Sequence, residues 1–216
     1  MKYYTEDNKE IILPDEARRF DHGSFGDIYK IDDDTCFKKF HRTCRIDMEA
    51  MKTIKNLHLH HFDSIIDLAY DEDRKFQGFL LNTYVRKLPD FLLMTPDELK
   101  EIFYSLVNDV NILSYNDIMV CDLSYYNTLM KGDELKIIDY DLYRKVHLPN
   151  NYIYNYRELM LLWSRLFEAL IVKKNYHINF GNIYSIFRLR NESIDEISRV
   201  LDRLDGYPLV LDYFKR

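Results

Sequence analysis

Three oxygen-bearing side chains crowd one short stretch of this chain. Asp122, Asn127 and Asp139 fall within eighteen residues. Between them lies a turn, Lys131-Gly132-Asp133-Glu134, that can fold the last residue back toward the first two. Two carboxylates and an amide oxygen converging in this way suit a hard, oxygen-seeking cation such as Mg²⁺ and a hydroxyl nucleophile that must lose its proton. Asp and Asn are also common turn residues, but Asp139 closes the apolar run of a strand rather than opening a loop. A cation complements them upstream. Lys38, in Thr35-Cys36-Phe37-Lys38, can set a point charge against phosphates if a carboxylate steadies it, and Glu49 is the expected partner. Before it comes His22-Gly23-Ser24-Phe25-Gly26, whose glycines allow a backbone to approach phosphate oxygens closely.

These residues need positioning, and the hydrophobic periodicity supplies the elements. Ser24 to Ile31 and Thr35 to Phe40 read as a hairpin across Asp32-Asp33-Asp34. A helix over about Thr43 to Leu57 follows, with Ile46, Ala50, Ile54 and Leu57 on one stripe. Ile65 to Tyr70 and Gly78 to Val85 read as further strands. The second part is mainly helical. Thr95-Pro96-Asp97-Glu98 is a capping box with proline at the first helical position. Strands follow at Thr128 to Met130 and Leu135 to Ile138, then helices from about Tyr154 to Val172 and from Ser193 to near Gly206. The pattern predicts one α+β domain of two lobes, a β-rich part over residues 1–85 and a shortened, mostly helical part over 86–216.

Composition narrows the partners. Hydrophobic residues are 47% of the 216 and charged residues 31%, enough for a sizeable core. The formal net charge of -6, with no concentration of Lys and Arg, argues against wholesale nucleic-acid binding. Cys36, Cys44 and Cys121 form no CxxC pair, which suggests free thiols in a reducing compartment. Met1 to Glu10 is polar and acidic, unlike a secretory leader, and no apolar run reaches the ~20 residues of a membrane span. The expected location is cytoplasmic, away from membranes. His58, His60 and His61 are spaced for surface or packing roles rather than for one metal ion, and the eighteen tyrosines for amphipathic packing.

Taken in order, the pieces resemble the protein-kinase superfamily over roughly residues 20 to 172. Asp122-Leu123-x-x-x-Asn127 is similar to the catalytic loop H-R-D-L-x-x-x-N from its Asp onward, and Asp139-Tyr140-Asp141 stands where D-F-G is found. Lys38 corresponds to the β3 lysine, Glu49 to the helix-C glutamate, and Gly23-Ser24-Phe25-Gly26 to the second half of the Gly-rich loop. Gly78 to Val85 resembles the strand that enters the hinge, and Asn155 to Leu170 the helix anchoring the large lobe. The resemblance implies a minimal Ser/Thr protein kinase that moves the γ-phosphoryl of Mg·ATP to a protein hydroxyl. Small-molecule kinases of the aminoglycoside or choline type, and a catalytically silent pseudokinase, are the alternatives. It further implies Asp122, Lys38 and Glu49 as catalytic and Asn127 and Asp139 as Mg²⁺ ligands. Gly23, Ser24, Phe25, Gly26, Ile28, Cys36, Asn82, Tyr84 and Leu129 would join Lys38 around ATP.

The departures carry expectations of their own. His-Arg before the catalytic Asp is Val120-Cys121, the D-F-G glycine is Asp141, and no A-P-E follows. Only fifteen residues separate Asp139 from Asn155, short for an activation segment. Regulation by loop phosphorylation is therefore not expected.

Overall fold

The computed structural model describes residues 2–13, 19–22, 25–41, 45–84, 96–131, 134–147 and 151–172. The chain is mixed α+β. Its first part forms seven strands: β1 (Tyr3–Tyr4), β2 (Glu10–Ile11), β3 (Arg19–His22), β4 (Gly26–Lys30), β5 (Thr35–Phe40), β6 (Ile65–Tyr70) and β7 (Phe76–Asn82). They make one antiparallel sheet in the order β2-β1-β6-β7-β5-β4-β3. Strands β1 and β2 have two residues each, too few for an alternating pattern to be legible in the sequence.

The alternation of β5 decides what reaches the centre of the molecule, because successive side chains of a strand point to opposite faces. Cys36, Lys38 and Phe40 are buried on the inner face. Phe37 points outward and packs with Tyr3, Ile11 and Ala69, while the Lys39 ammonium lies 5.6 Å from the ring centroid of Tyr3. The neighbouring strand must come close to keep this arrangement. A Cβ on Gly78 would stand 1.9 Å from the carbonyl oxygen of Lys38, so glycine is required where β7 passes β5.

The described residues form three α-helices, α1 (Met48–Lys55), α2 (Pro96–Tyr115) and α3 (Asn151–Val172): α1 packs on β6, while α2 and α3 pack on each other. Ala50, Met51 and Ile54 of α1, Phe103, Leu106, Val110 and Leu113 of α2, and Leu159 and Leu162 of α3 share one core with Phe40, Leu68, Phe79 and Leu81. Each such side chain contributes about 1.5–3 kcal/mol by leaving water. Helix α2 starts at Pro96, as its sequence predicts. Helix α1 starts at Met48 rather than near Thr43, because Asp47 is its N-cap and accepts from the backbone N–H of Glu49 and Ala50. Helix α3 starts at Asn151, one turn before the expected Tyr154. The helix expected from Ser193 lies outside the described residues.

Between α2 and α3 run β8 (Ile118–Met119), the hairpin of β9 (Thr128–Lys131) and β10 (Glu134–Ile137), and β11 (Arg144–Lys145), which pairs with β8. The buried Asp109 of α2 accepts from the backbone N–H of His60 and of His61, at 3.0 and 2.6 Å. His61 Nδ1 lies 2.9 Å from Leu135 O, and Asp63 N donates to Ile137 O. The segment entering β6 is thus tied to both α2 and the hairpin, and His61 does the packing work its spacing suggested. Among the described residues no helix is long and apolar enough to cross a membrane.

Candidate active site

Lys38 reaches the site from the inner face of β5. Its residue is 5% exposed. An ammonium buried to that depth needs charged partners, and Lys38 has two. Nζ lies 2.7 Å from Asp139 Oδ1 and 2.6 Å from Asp141 Oδ2. Burial works to lower the pKa of the ammonium, but Asp141 and then Asp139 outweigh it and hold the group above the ordinary lysine value. Both carboxylates come from the turn after β10. Asp139 has φ of 73°, a left-handed conformation that aspartate adopts more readily than most residues.

The two carboxylates differ. Asp139 is half-buried; desolvation opposes its charge, yet Lys38 keeps its carboxyl below the usual aspartate value. Asp141 is 2% exposed and its Oδ1 has no hydrogen-bond partner among the described residues. Burial lifts its carboxyl to about 7, Lys38 opposing that rise and Asp139 adding to it.

The second half of the site is a loop. It leaves β8, passes Asp122 at φ 56° and tightens into a single 3-10 turn, Tyr125–Asn127. Asn127 Nδ2 donates to Asp122 O at 3.1 Å and approaches Asp122 Oδ2 at 3.4 Å. Asn127 N and Thr128 Oγ1 both donate to Ser124 O, which closes the loop on itself. From outside, the fully buried Asn155 of α3 accepts from Val120 N at 2.7 Å and donates to Ile118 O and Ser114 Oγ, each at 2.8 Å. The halves then meet through the backbone, where Ile138 N donates to Asn127 O at 2.8 Å. Lys38 thus meets Asp139, Asn127 meets Asp122, and the Ile138–Asn127 bond joins the two pairs.

Glu49 is a correction. Its side chain is 76% exposed and its carboxylate lies 3.6 Å from Lys145 Nζ, away from Lys38. Helix α1 presents Ala50, Met51 and Ile54 inward, which turns Glu49 out. Asp141 holds Lys38 in its place. Position alone disguised this residue: it stood as a departure from the expected glycine, with nothing in its surroundings to mark it as a partner.

The residues expected around ATP divide into groups. Gly23 and Ser24 lie outside the described residues. Gly26 pairs with Phe40 inside the sheet, and a Cβ there would stand 2.5 Å from Lys39 O, a packing reason for glycine. Phe25 and Ile28 pack half-buried on the core, and Leu129 is buried in β9. Cys36, Asn82 and Tyr84 gather beside a residue the sequence reading missed. Asp63, 4% exposed, accepts through Oδ1 from Asn82 Nδ2 at 2.7 Å and from the Tyr84 hydroxyl, while its backbone carbonyl accepts from the Tyr140 hydroxyl. Cys36 Sγ donates to Asn82 O, and burial, then Asp63, raises its thiol pKa to about 11, so it is no ready thiolate. Asp63 falls in a loop of ordinary polarity, with no local pattern to single it out.

The donor set can be tested against a divalent cation. The Lys38 ammonium already occupies a cation's place between Asp139 and Asp141. Among the described residues no three His, Cys, Asp or Glu side chains converge on one point. The side-chain oxygens of Asn127 and Asp139 are of the hard type that Mg²⁺ takes, one or two from protein with phosphate and water completing its shell. No family model matches the chain, and no curated protein sequence matches it.

Proposed function

We propose that this chain is an ATP-dependent phosphotransferase with a minimal protein-kinase-like, two-lobed fold, moving the γ-phosphoryl of Mg·ATP to the hydroxyl of a protein serine or threonine. One observation carries the reading: a buried lysine is neutralised by the carboxylates of Asp139-Tyr140-Asp141, and that turn is joined through Ile138 and Asn127 to the loop bearing Asp122.

Roles follow from chemistry. Lys38 turns its ammonium toward the phosphates of the nucleotide and offsets their charge. Asn127 and Asp139 offer the oxygens that would hold Mg²⁺, whose chemistry when bound is to neutralise charge on the transferring phosphoryl group. Asp122 accepts or orients the proton of the attacking hydroxyl, and Asn127 Nδ2 fixes the direction of its carboxylate. In phosphoryl transfer, positioning and charge neutralisation supply most of the rate.

The test is direct. Mg·ATP should raise the thermal midpoint of the full chain, equivalent to roughly 2.7 kcal/mol at a hundredfold excess over Kd, and label from [γ-³²P]ATP should pass to a generic protein substrate. No thermal shift at millimolar nucleotide would sink the reading. Binding with transfer only to an aminoglycoside or choline would move it to small-molecule kinases, and binding with no transfer to any acceptor would make the chain a pseudokinase.

A further inference from the structure

We propose that Asp141, rather than a glutamate on α1, is the residue that positions Lys38 on the nucleotide's phosphates, so that the lysine needs no acidic side chain from that helix. This rests on the phosphotransferase reading above and says how its lysine is held.

Lys38 has two anions in reach, and they are not equivalent. Asp139 is the more exposed, and it is the one whose oxygens a divalent cation would claim. A lysine that relied on Asp139 alone would lose its anchor when the cation arrived. Asp141 is almost completely buried, and its Oδ2 is the nearer of the two at 2.6 Å. Its backbone is held as well: Arg144 Nη1 donates to Asp141 O at 3.1 Å, and Tyr143 N donates to Tyr140 O at 2.8 Å. A fixed, desolvated carboxylate is what a flexible lysine stem needs in order to present one direction of charge.

Helix α1 cannot serve. Glu49 is the one acidic residue among its eight, and it faces solvent beside Lys145. The helix is moored elsewhere. Asp47, its N-cap, accepts Lys145 N through Oδ2 at 2.9 Å, and Lys145 Nζ donates to Thr53 Oγ1 at 3.1 Å. These ties join α1 to β11 and leave Lys38 out.

Four proteins decide the matter: the full wild-type chain, Asp141→Asn, Asp139→Asn and Glu49→Gln. Each is titrated with Mg·ATP by calorimetry, with adenosine by saturation-transfer NMR, and with Mn²⁺ in the presence of ATP by electron paramagnetic resonance. Asp141→Asn should weaken Mg·ATP by about tenfold or more, the loss of a charge-assisted contact, and leave adenosine within about twofold. It should keep most of the Mn²⁺ affinity that Asp139→Asn loses, and Glu49→Gln should match wild type throughout. Three results would each overturn the proposal. Glu49→Gln could weaken Mg·ATP by about tenfold, Asp141→Asn could lose as much Mn²⁺ affinity as Asp139→Asn, or it could lose adenosine as severely as ATP. If Asp141→Asn does not fold, Glu49→Gln, altered on an exposed side chain, decides alone: unchanged Mg·ATP binding supports the proposal and a tenfold loss (about 1.4 kcal/mol) ends it. A wild-type chain that binds no Mg·ATP would reject the phosphotransferase reading itself, and this inference with it.

Discussion

At the scale of single residues, the proposed mechanism separates a proton acceptor from charge-bearing groups. Asp122→Ala should leave Mg·ATP binding nearly intact and lower turnover by on the order of 10²-fold or more. Asp139→Ala should weaken Mg·ATP engagement and turnover together, because it removes both an oxygen proposed to hold Mg²⁺ and a contact of Lys38. Nucleotide titration alongside initial rates distinguishes them, and full activity in Asp122→Ala would remove Asp122 from the mechanism. Asp141 also makes stability depend on pH. Its folded carboxyl titrates near 7, above the ordinary value of 3.8. Between those values the folded protein keeps a proton that the unfolded chain gives up, so this group's stabilising contribution is fullest at low pH and is withdrawn as pH rises toward 7. Urea unfolding of wild type and Asp141→Asn at several pH values from about 5 to about 8 measures the difference. The wild type should lose ground relative to the variant as pH rises toward 7, and a difference that stays flat across this range would mean that Asp141 is already ionised when folded.

Among elements, the short strand β8 carries more than its two residues suggest. It leads directly into the loop of Asp122, and α3 secures it through one side chain, Asn155, with its three hydrogen bonds. Asn155→Leu would leave Val120 N and Ile118 O buried without that partner. Each lost bond of this kind costs about 1–3 kcal/mol, so destabilisation on the order of 3 kcal/mol is expected. Activity per folded molecule should also fall, since the loop loses its mooring. A loss below about 1 kcal/mol in chemical denaturation would show that water or a neighbour satisfies those groups.

For the molecule as a whole, the segment after Asp141 bears on control. A phosphate orders a loop through paired cations. Here Arg144 already donates to the carbonyls of Asp141, Tyr143 and Arg45, and Lys145 is engaged by Glu49 and Thr53. Cys121 stands where a phosphate-reading arginine was expected. If the proposed activity holds, the chain should work as made: complete dephosphorylation of purified protein should leave the initial rate unchanged. A large loss, restored by phosphate on a residue between Asp139 and Asn155, would contradict this.

Local chemistry wrote much of this protein in advance. The alternation of Cys36, Lys38 and Phe40 against Phe37 and Lys39 placed a lysine on the inner face. Pro96 set the start of α2, and the pairing of β9 with β10 returns Asp139 toward Asn127; each depends on backbone preferences acting within a few residues. Asp47 shows the limit of such signals, since the apolar stripe from Ile46 pointed to a longer helix than its cap allows. What tertiary structure alone decided is who partners whom. Which carboxylate meets Lys38 depends on the rotation of α1 and on the depth of the turn after β10, and both are set by packing among residues far apart in the chain. Glu49 and Asp141 are equally acidic on paper, and only burial makes one an anchor and the other a solvated charge. Asp63 was invisible for the same reason: its donors, Asn82 and Tyr84, arrive from the end of β7 and just beyond it, and no spacing within its own loop records them.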